Sequence, residues 1–292
     1  MGSLCFLPRR SELALSSAQL AKKLSKSLSA RLSVGILGSL LAMSPLYGQA
    51  TGPDFPVPSR SSQLGVKDAG ALAEVVSHIR AAGGANWNDL EASGTIVFGS
   101  SPNDSHTATL TLVGAKYSRL DVTFDAGVRS LRLRPVAGRS ITETGDRIDL
   151  PPATACAGLV AFPRLWRRAV TSQRVSLFDR GMFNASGSML HRVTMEYAPE
   201  NEDFKYGPKT VATDLYFDPQ SHNLLYSVDF LAYINTHGQR LLRITQYSNY
   251  RSTDGVNLPT TISESLGKQL QWTLQLTSIQ LNQSPALSLF LF

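Results

Sequence analysis

Five histidines, His78, His106, His191, His222 and His237, are the side chains best suited to proton transfer or metal binding. No two stand at helical or hairpin ligand spacing, so a metal site would need ligands gathered from distant parts of the chain. Glu200, Glu202 and Asp203 cluster in a stretch bounded by Pro199 and Pro208. It reads as a solvated surface loop, because carboxylate-bound metals need convergent partners that its neighbours do not supply. The motifs H-E-x-x-H, C-x-x-C, G-x-S-x-G, G-x-G-x-x-G and G-x-x-x-x-G-K-[ST] are absent. A Ser-His-Asp set assembled from dispersed residues would leave no trace in spacing. The expectation is a protein that is not an enzyme, with no catalytic residues, no metal and no cofactor.

Apolar chemistry is better represented. Phe98, Leu112, Phe124, Leu133, Trp166, Phe217, Tyr226, Phe230, Trp272 and Leu274 fall in alternating or amphipathic stretches and are the candidate lining of a cavity for an apolar ligand. A packed core would use the same residues, since buried aromatics mostly pack against one another. Cys156, within Ala153-Thr-Ala-Cys-Ala-Gly-Leu, reads as a small buried hydrophobe.

The elements that would position these residues are mostly strands. Leu72, Val75, Val76 and Ile79 recur at spacings of three and four before Gly83-Gly84, which predicts an amphipathic helix. From Glu91 the period becomes two, through Ile96 and Phe98, Leu110 and Leu112, Leu120 to Phe124, and Leu131 and Leu133, with turn signals between. Residues 150–187 break the rhythm. There Leu159, Phe162, Leu165, Trp166 and Val170 with Arg164, Arg167 and Arg168 predict one or two short amphipathic helices divided at Pro163. Strands resume at Met189, and residues 240–292 read as three neighbouring strands that close one edge of the sheet, with Pro259 opening the second of them. Leu270, Trp272, Leu274 and Leu276 alternate cleanly, and the phase then slips to Ile279 and Leu281, which predicts a β-bulge at Thr277-Ser278.

With 292 residues and 42% hydrophobic content the chain can bury a sizeable core. Its first fifty residues carry Arg9, Arg10, Lys22, Lys23, Lys26 and Arg31 against Glu12 alone. An apolar run at 32–46 follows, then Gly48 and Ala50, the order of a secretory signal cleaved after Ala50. Removing that segment leaves 22 basic and 21 acidic residues, so the formal charge of +6 is largely a targeting feature. No basic stripe interleaved with aromatics remains, and nucleic acid is excluded as a partner. The expected organisation is residues 1–50 as signal peptide, 51–65 as a flexible Pro, Ser and Gly leader, and 66–292 as a single domain. After cleavage the protein is expected to be soluble in the periplasm or outside the cell, with no transmembrane segment.

Four stretches carry a family resemblance: the helix ending in Gly83-Gly84 followed by Ala92-Ser-Gly94-Thr; Asp214-Leu-Tyr-Phe-Asp-Pro-Gln-Ser-His-Asn-Leu-Leu225; Tyr247-Ser-Asn-Tyr-Arg251 with Gly255 and Pro259; and Gln280-Leu-Asn282 before a terminal Phe. In this order, over residues 66–292, the chain resembles the LolA/LolB-type lipoprotein-carrier superfamily, which includes LppX-like and RseB-like envelope proteins. The resemblance implies a mainly β (α+β) fold, a curled antiparallel β half-barrel with helices closing the concave face. It also implies a lipid or acyl chain as ligand and a lipoprotein or membrane-surface partner. Residues 151–187 have no residue-by-residue match, so no latch role passes to Arg164, Arg167 or Arg168. The expected function is exported, non-enzymatic binding of an apolar ligand, with an envelope interaction or sensor module of packed core as the alternative.

Overall fold

The computed structural model describes residues 53–59, 61, 63–84, 87–99, 103–114, 117–134, 137–150, 169–197, 211–232 and 240–291. The expected signal segment, Cys156, Arg164, Trp166, Arg167, Arg168, the Glu200 to Asp203 stretch and His237 lie outside these residues.

Helix α1 (Ala69–Ala81) precedes strands β1 (Asp89–Phe98), β2 (Ser105–Val113), β3 (Tyr117–Phe124), β4 (Gly127–Arg134), β5 (Ala137–Ile141) and β6 (Arg147–Leu150). They are followed by β7 (Val175–Ala185), β8 (Ser188–Tyr197), β9 (Val211–Phe217), β10 (Leu224–Ala232), β11 (Arg240–Thr253), β12 (Val256–Leu266), β13 (Gln269–Leu281) and a 3-10 turn (Leu287–Phe290). All thirteen strands form one antiparallel sheet in the order β6-β5-β4-β3-β2-β1-β13-β12-β11-β10-β9-β8-β7. The sheet is open, with β6 and β7 as its edges, and its shape is that of a curled half-barrel.

Two local meanders are therefore joined at one seam, where β1 pairs with β13. This corrects the expectation that the last three strands close an edge: β13 lies in the middle of the sheet. The bulge stands where the phase slip placed it, with Ser93 opposite Ser278 and Gly94 opposite Leu276, so Thr277 is the extra residue. Opposite it the strands approach so closely that a Cβ on Gly94 would overlap the Gln275 carbonyl oxygen and lie 2.8 Å from the Leu276 Cα. Glycine is required there by space.

Strands β5, β6 and β7 were not legible. β5 and β6 are short and polar, while β7 is buried on both faces at its start, where Val175, Ser176, Leu177 and Phe178 are all buried, and bulged between Asp179 and Met182. No alternation survives in such a strand. Pro259 does not open β12, which starts at Val256; it lies inside the strand opposite Tyr250. The ladder to β13 begins at Thr261, so the missing N–H faces no neighbouring strand.

Directly paired residues share a face. The inner face carries Leu90, Ile96, Leu112, Leu120, Leu131, Leu274, Tyr247, Leu215 and Val193, with Ala71 and Val75 of α1 in the same core. Ala169 and Val170, from the helical residues 169–171, join it. α1 packs against β7 and ends at Gly83 and Gly84, both with positive φ. The leader, expected to lack regular structure, has no helix or strand among its described residues. It is nonetheless seated on the outer face, where Phe55 sits 4.6 Å from the Tyr216 ring and 5.0 Å from that of Tyr226. Lys67 then bridges to Leu177 and carries the chain over the β7 edge into α1.

Because the close approach at the seam leaves no room for a methyl group, we expect Gly94→Ala to destabilise the protein by about 2–4 kcal/mol. Urea unfolding of both proteins measures it, and an unchanged midpoint would show that the seam has slack.

Candidate functional site

The inner face has an apolar half and a polar half. Across β4, β3, β2, β1, β13 and β12 the inward positions include Leu133, Leu131, Leu120, Val122, Leu110, Leu112, Ile96, Leu274, Leu276 and Ile262, all at most 6% exposed. The smallest inward pair is Gly94 opposite Ala108. One end of this band is rimmed by aromatics and charge: Phe98 and Phe124 stack at 5.8 Å, His106 lies 4.2 Å from the Phe124 ring, and the Arg129 guanidinium lies 4.6 Å over it. Arg129 in turn binds both oxygens of Glu143, at 2.9 and 3.0 Å.

The polar half lies on β10, β11 and β12. Arg243 donates from Nε and Nη2 to the two oxygens of Asp229, each at 2.8 Å. Glu264, fully buried, stands with Oε2 4.0 Å from Arg243 Nη1 and with Oε1 accepting the Trp272 indole N–H at 3.2 Å. Ser227 and Tyr247 share a hydrogen bond of 3.0 Å beside them. Glu264 Oε2 is buried and has no hydrogen-bond partner. Burial pushes the Glu264 carboxyl up to about 8, against the opposing pull of Arg243 and with Asp229 adding to the rise. Burial also works against the Arg243 charge, but Asp229 more than offsets this and the guanidinium is held charged. The side chains are brought together by register alone, Asp229 opposite Arg243 and Glu264 opposite Trp272.

A second cluster fastens α1 to the sheet. The buried stripe of the helix is Ala71, Glu74, Val75 and His78, so two of its four positions are polar. Glu74 accepts from His191 Nδ1 and from His222 Nδ1, both at 2.9 Å, and His191 Nε2 reaches Asp179 at 3.0 Å. The turn between β9 and β10 presents His222: Asp218 Oδ1 accepts the N–H groups of Gln220 and Ser221, and His222 takes a positive φ of 57°. His78 Nδ1 donates to the His222 carbonyl at 2.8 Å, and burial pushes the His78 imidazole down to about 4. Burial opposes a charge on His191, but its bonds to Glu74 and Asp179 prevail and its pKa is raised. Both His191 nitrogens are occupied by carboxylates, which suits an imidazolium clamp and leaves that ring no lone pair to act as a base. Among the described residues no hydroxyl or thiol bonds to His191 or His222, and no group of three or more His, Cys, Asp or Glu could hold a metal.

Seven of the ten residues expected to line a cavity share the inner face: Phe98, Leu112, Phe124, Leu133, Phe217, Trp272 and Leu274. Phe217 is separate from the other six, under α1, where its ring lies 5.2 Å from His78. Tyr226 and Phe230 are on the outer face, an odd number of residues from the inward Asp229 and with Tyr226 packed on Phe55. The bulge at Leu225, which sets this phase, has no mark in the sequence. Trp166 is outside the described residues. The polar cluster and the clamp were missed because their members are far apart in sequence and each stood in a pattern read as strand or turn.

No family model matches the chain, and no curated protein does. Among solved structures it is similar to a putative outer membrane lipoprotein-sorting protein domain from Vibrio parahaemolyticus, at 9% identity and a TM-score of 0.48 over 76% of this chain and 96% of that one. It is also similar to a LolA superfamily protein from Nitrosomonas europaea, at 12% identity and a TM-score of 0.47 over 74% and 94% of the two chains. The lipoprotein LppX of Mycobacterium tuberculosis shares 11% identity and a TM-score of 0.25 over 56% and 88%. The likeness is one of fold.

Two expectations follow from the charges. The folded chain keeps a proton on Glu264 that the unfolded chain releases above its ordinary value of 4.5, so this group lowers stability as pH rises from there to about 8. Glu264→Gln should remove that decline, worth on the order of a few kcal/mol, in denaturant unfolding across this range; a variant with the wild-type slope would show the carboxyl to be ionised throughout. The stabilisation from His191 is complete below its ordinary value of 6.5 and is lost as pH rises through its raised value. Hydrogen exchange of the α1 amides, corrected for intrinsic rate, should show protection falling over that interval in the wild type, and low protection without a pH step in His191→Gln.

Proposed function

We propose that this chain is an exported, non-enzymatic binding protein that holds a lipid or acyl chain against the inner face of its sheet. The observation that carries the reading is the apolar band itself. Six neighbouring strands present inward Leu, Ile, Val, Phe and Trp side chains over roughly 24 Å, long enough for an extended acyl chain. Among the described residues charge borders this band at the Arg129 rim and at the Asp229, Arg243 and Glu264 cluster on the far side, with the Glu74 and His191 clamp beyond it under α1. A ligand site needs this combination of a broad apolar surface and a few placed polar groups. Gly94 opposite Ala108 is the smallest inward pair, so a chain laid on the band would come closest to the sheet there. Export to the periplasm or cell exterior fits the basic, apolar and small-residue order of residues 1–50.

A second reading, an envelope interaction or sensor module with a packed core, is favoured by the complete burial of Arg243 and Glu264, both 0% exposed. The two readings separate in one experiment. Native mass spectrometry of the purified protein should show co-purified lipid, and a fluorescent fatty-acid probe should bind. Ala108→Leu, which adds bulk at this pair, should weaken the probe about ten-fold while costing about 1–3 kcal/mol of stability. Absence of both lipid and probe binding would leave the packed-core reading in its place.

A further inference from the structure

The outer face of β3 to β6 carries a pattern that stability alone disfavours. Register sets Arg119 opposite Arg132 and Arg132 opposite Arg139, three guanidinium groups in one row across three strands. Like charges directly opposite one another are destabilising. Arg147 stands two residues along on the same face, opposite Ile141. Burial and the nearness of Arg119 and Arg147 draw the Arg132 pKa below its ordinary value. Asp121 meets Arg119 and Asp149 meets Arg139, each at 2.7 Å, which leaves these four arginines in positive excess over the two acids.

Across this row runs the segment that follows β13. Arg119 Nη1 donates to the Leu289 carbonyl at 3.0 Å and Arg132 Nη1 to the Leu291 carbonyl at 2.8 Å. Phe290 turns inward, fully buried, 5.6 Å from the Tyr117 ring. Its neighbours turn outward: Leu287 is 53% exposed, Leu289 37% and Leu291 58%. A single exposed leucine is ordinary on a protein surface. Three within five residues, two of them held by their carbonyls on a row of arginines, form a comb of aliphatic side chains over fixed positive charge.

We propose that this surface docks the protein on an anionic phospholipid bilayer, with Leu287, Leu289 and Leu291 among the upper acyl carbons and the arginine row on lipid phosphates. The chemistry matches at both depths. Aliphatic side chains gain by leaving water for the acyl boundary, and guanidinium groups bind phosphate oxygens through paired N–H donors. An acidic protein partner would answer the arginines but not the leucines. The docking face is opposite the inner face, and the proposal is independent of what the inner face binds.

Flotation of the full chain with phosphatidylcholine–phosphatidylglycerol vesicles tests it. Wild type should partition onto these vesicles, more weakly onto pure phosphatidylcholine, and less as salt rises. Leu287→Ser, Leu289→Ser and Leu291→Ser combined should lower partitioning about ten-fold or more. Arg139→Gln with Arg147→Gln, which spares the arginines holding the segment, should lower it about five-fold for each charge removed. Hydrogen exchange of the wild type locates the contact without a variant: mixed vesicles should slow exchange at residues 287–291 and leave β8 and β9 unchanged. Variants that float like wild type, unaltered exchange at 287–291, or equal binding to neutral vesicles would overturn the proposal. So would a dimer in sedimentation that the serine variant abolishes, because a second copy would then cover the leucines.

Discussion

The sheet exists as one piece because β1 and β13 can lie side by side. Among the described residues every other ladder joins strands that are neighbours in sequence and would form within either meander by itself. The β1–β13 ladder joins residues on either side of most of the chain, and its closure entropy must be recovered from the contacts it makes. Those contacts are apolar: Leu90, Ile96 and Phe98 meet Leu281, Leu274 and Trp272 across the seam. Each such side chain taken fully from water contributes about 1.5–3 kcal/mol. The extra residue Thr277 bends β13 at Gly94, and only a residue without a side chain lets the backbones meet there.

Joining the meanders also sets the inner face's division of labour. The N-terminal meander brings leucine, valine and phenylalanine, and β13 and β12 extend that surface past the seam. The C-terminal meander brings Asp229, Arg243 and Glu264 to a place where water does not reach them. Buried charge is tolerated when paired, and Arg243 with Asp229 is paired through two parallel hydrogen bonds. Glu264 is the unbalanced member, and it answers burial by holding its proton.

The outer face follows different rules in its two halves. Over β8 to β10 it is covered by the leader, whose Phe55 completes a cluster with Tyr216, Phe183 and Tyr226. Over β3 and β4 it is crossed by the segment after β13, which keeps one aromatic inward and three leucines outward. Both termini of the described domain thus serve as straps on the convex side, one buried into the core and the other offering apolar side chains to what lies beyond.

Sequence by itself determined what repeats locally. The helix stop at Gly83-Gly84, the alternation of Leu270 to Leu276 and the slip at Thr277 were all legible, because each is fixed by the period of one element or the conformational freedom of one residue. Seven inward residues followed from the same alternation. Tertiary structure decided everything that depends on partners. β7 has no period because both its faces are covered at one end; β13 is central because β1, far away in sequence, pairs with it; Tyr226 and Phe230 turn outward because a bulge at Leu225 resets the phase. Glu74 and His78 are buried on α1, against the apolar rule, because His191, His222 and Asp179 arrive from two strands and a turn to satisfy them. Periodicity reports which side of an element faces in. It carries no record of which other element is waiting there.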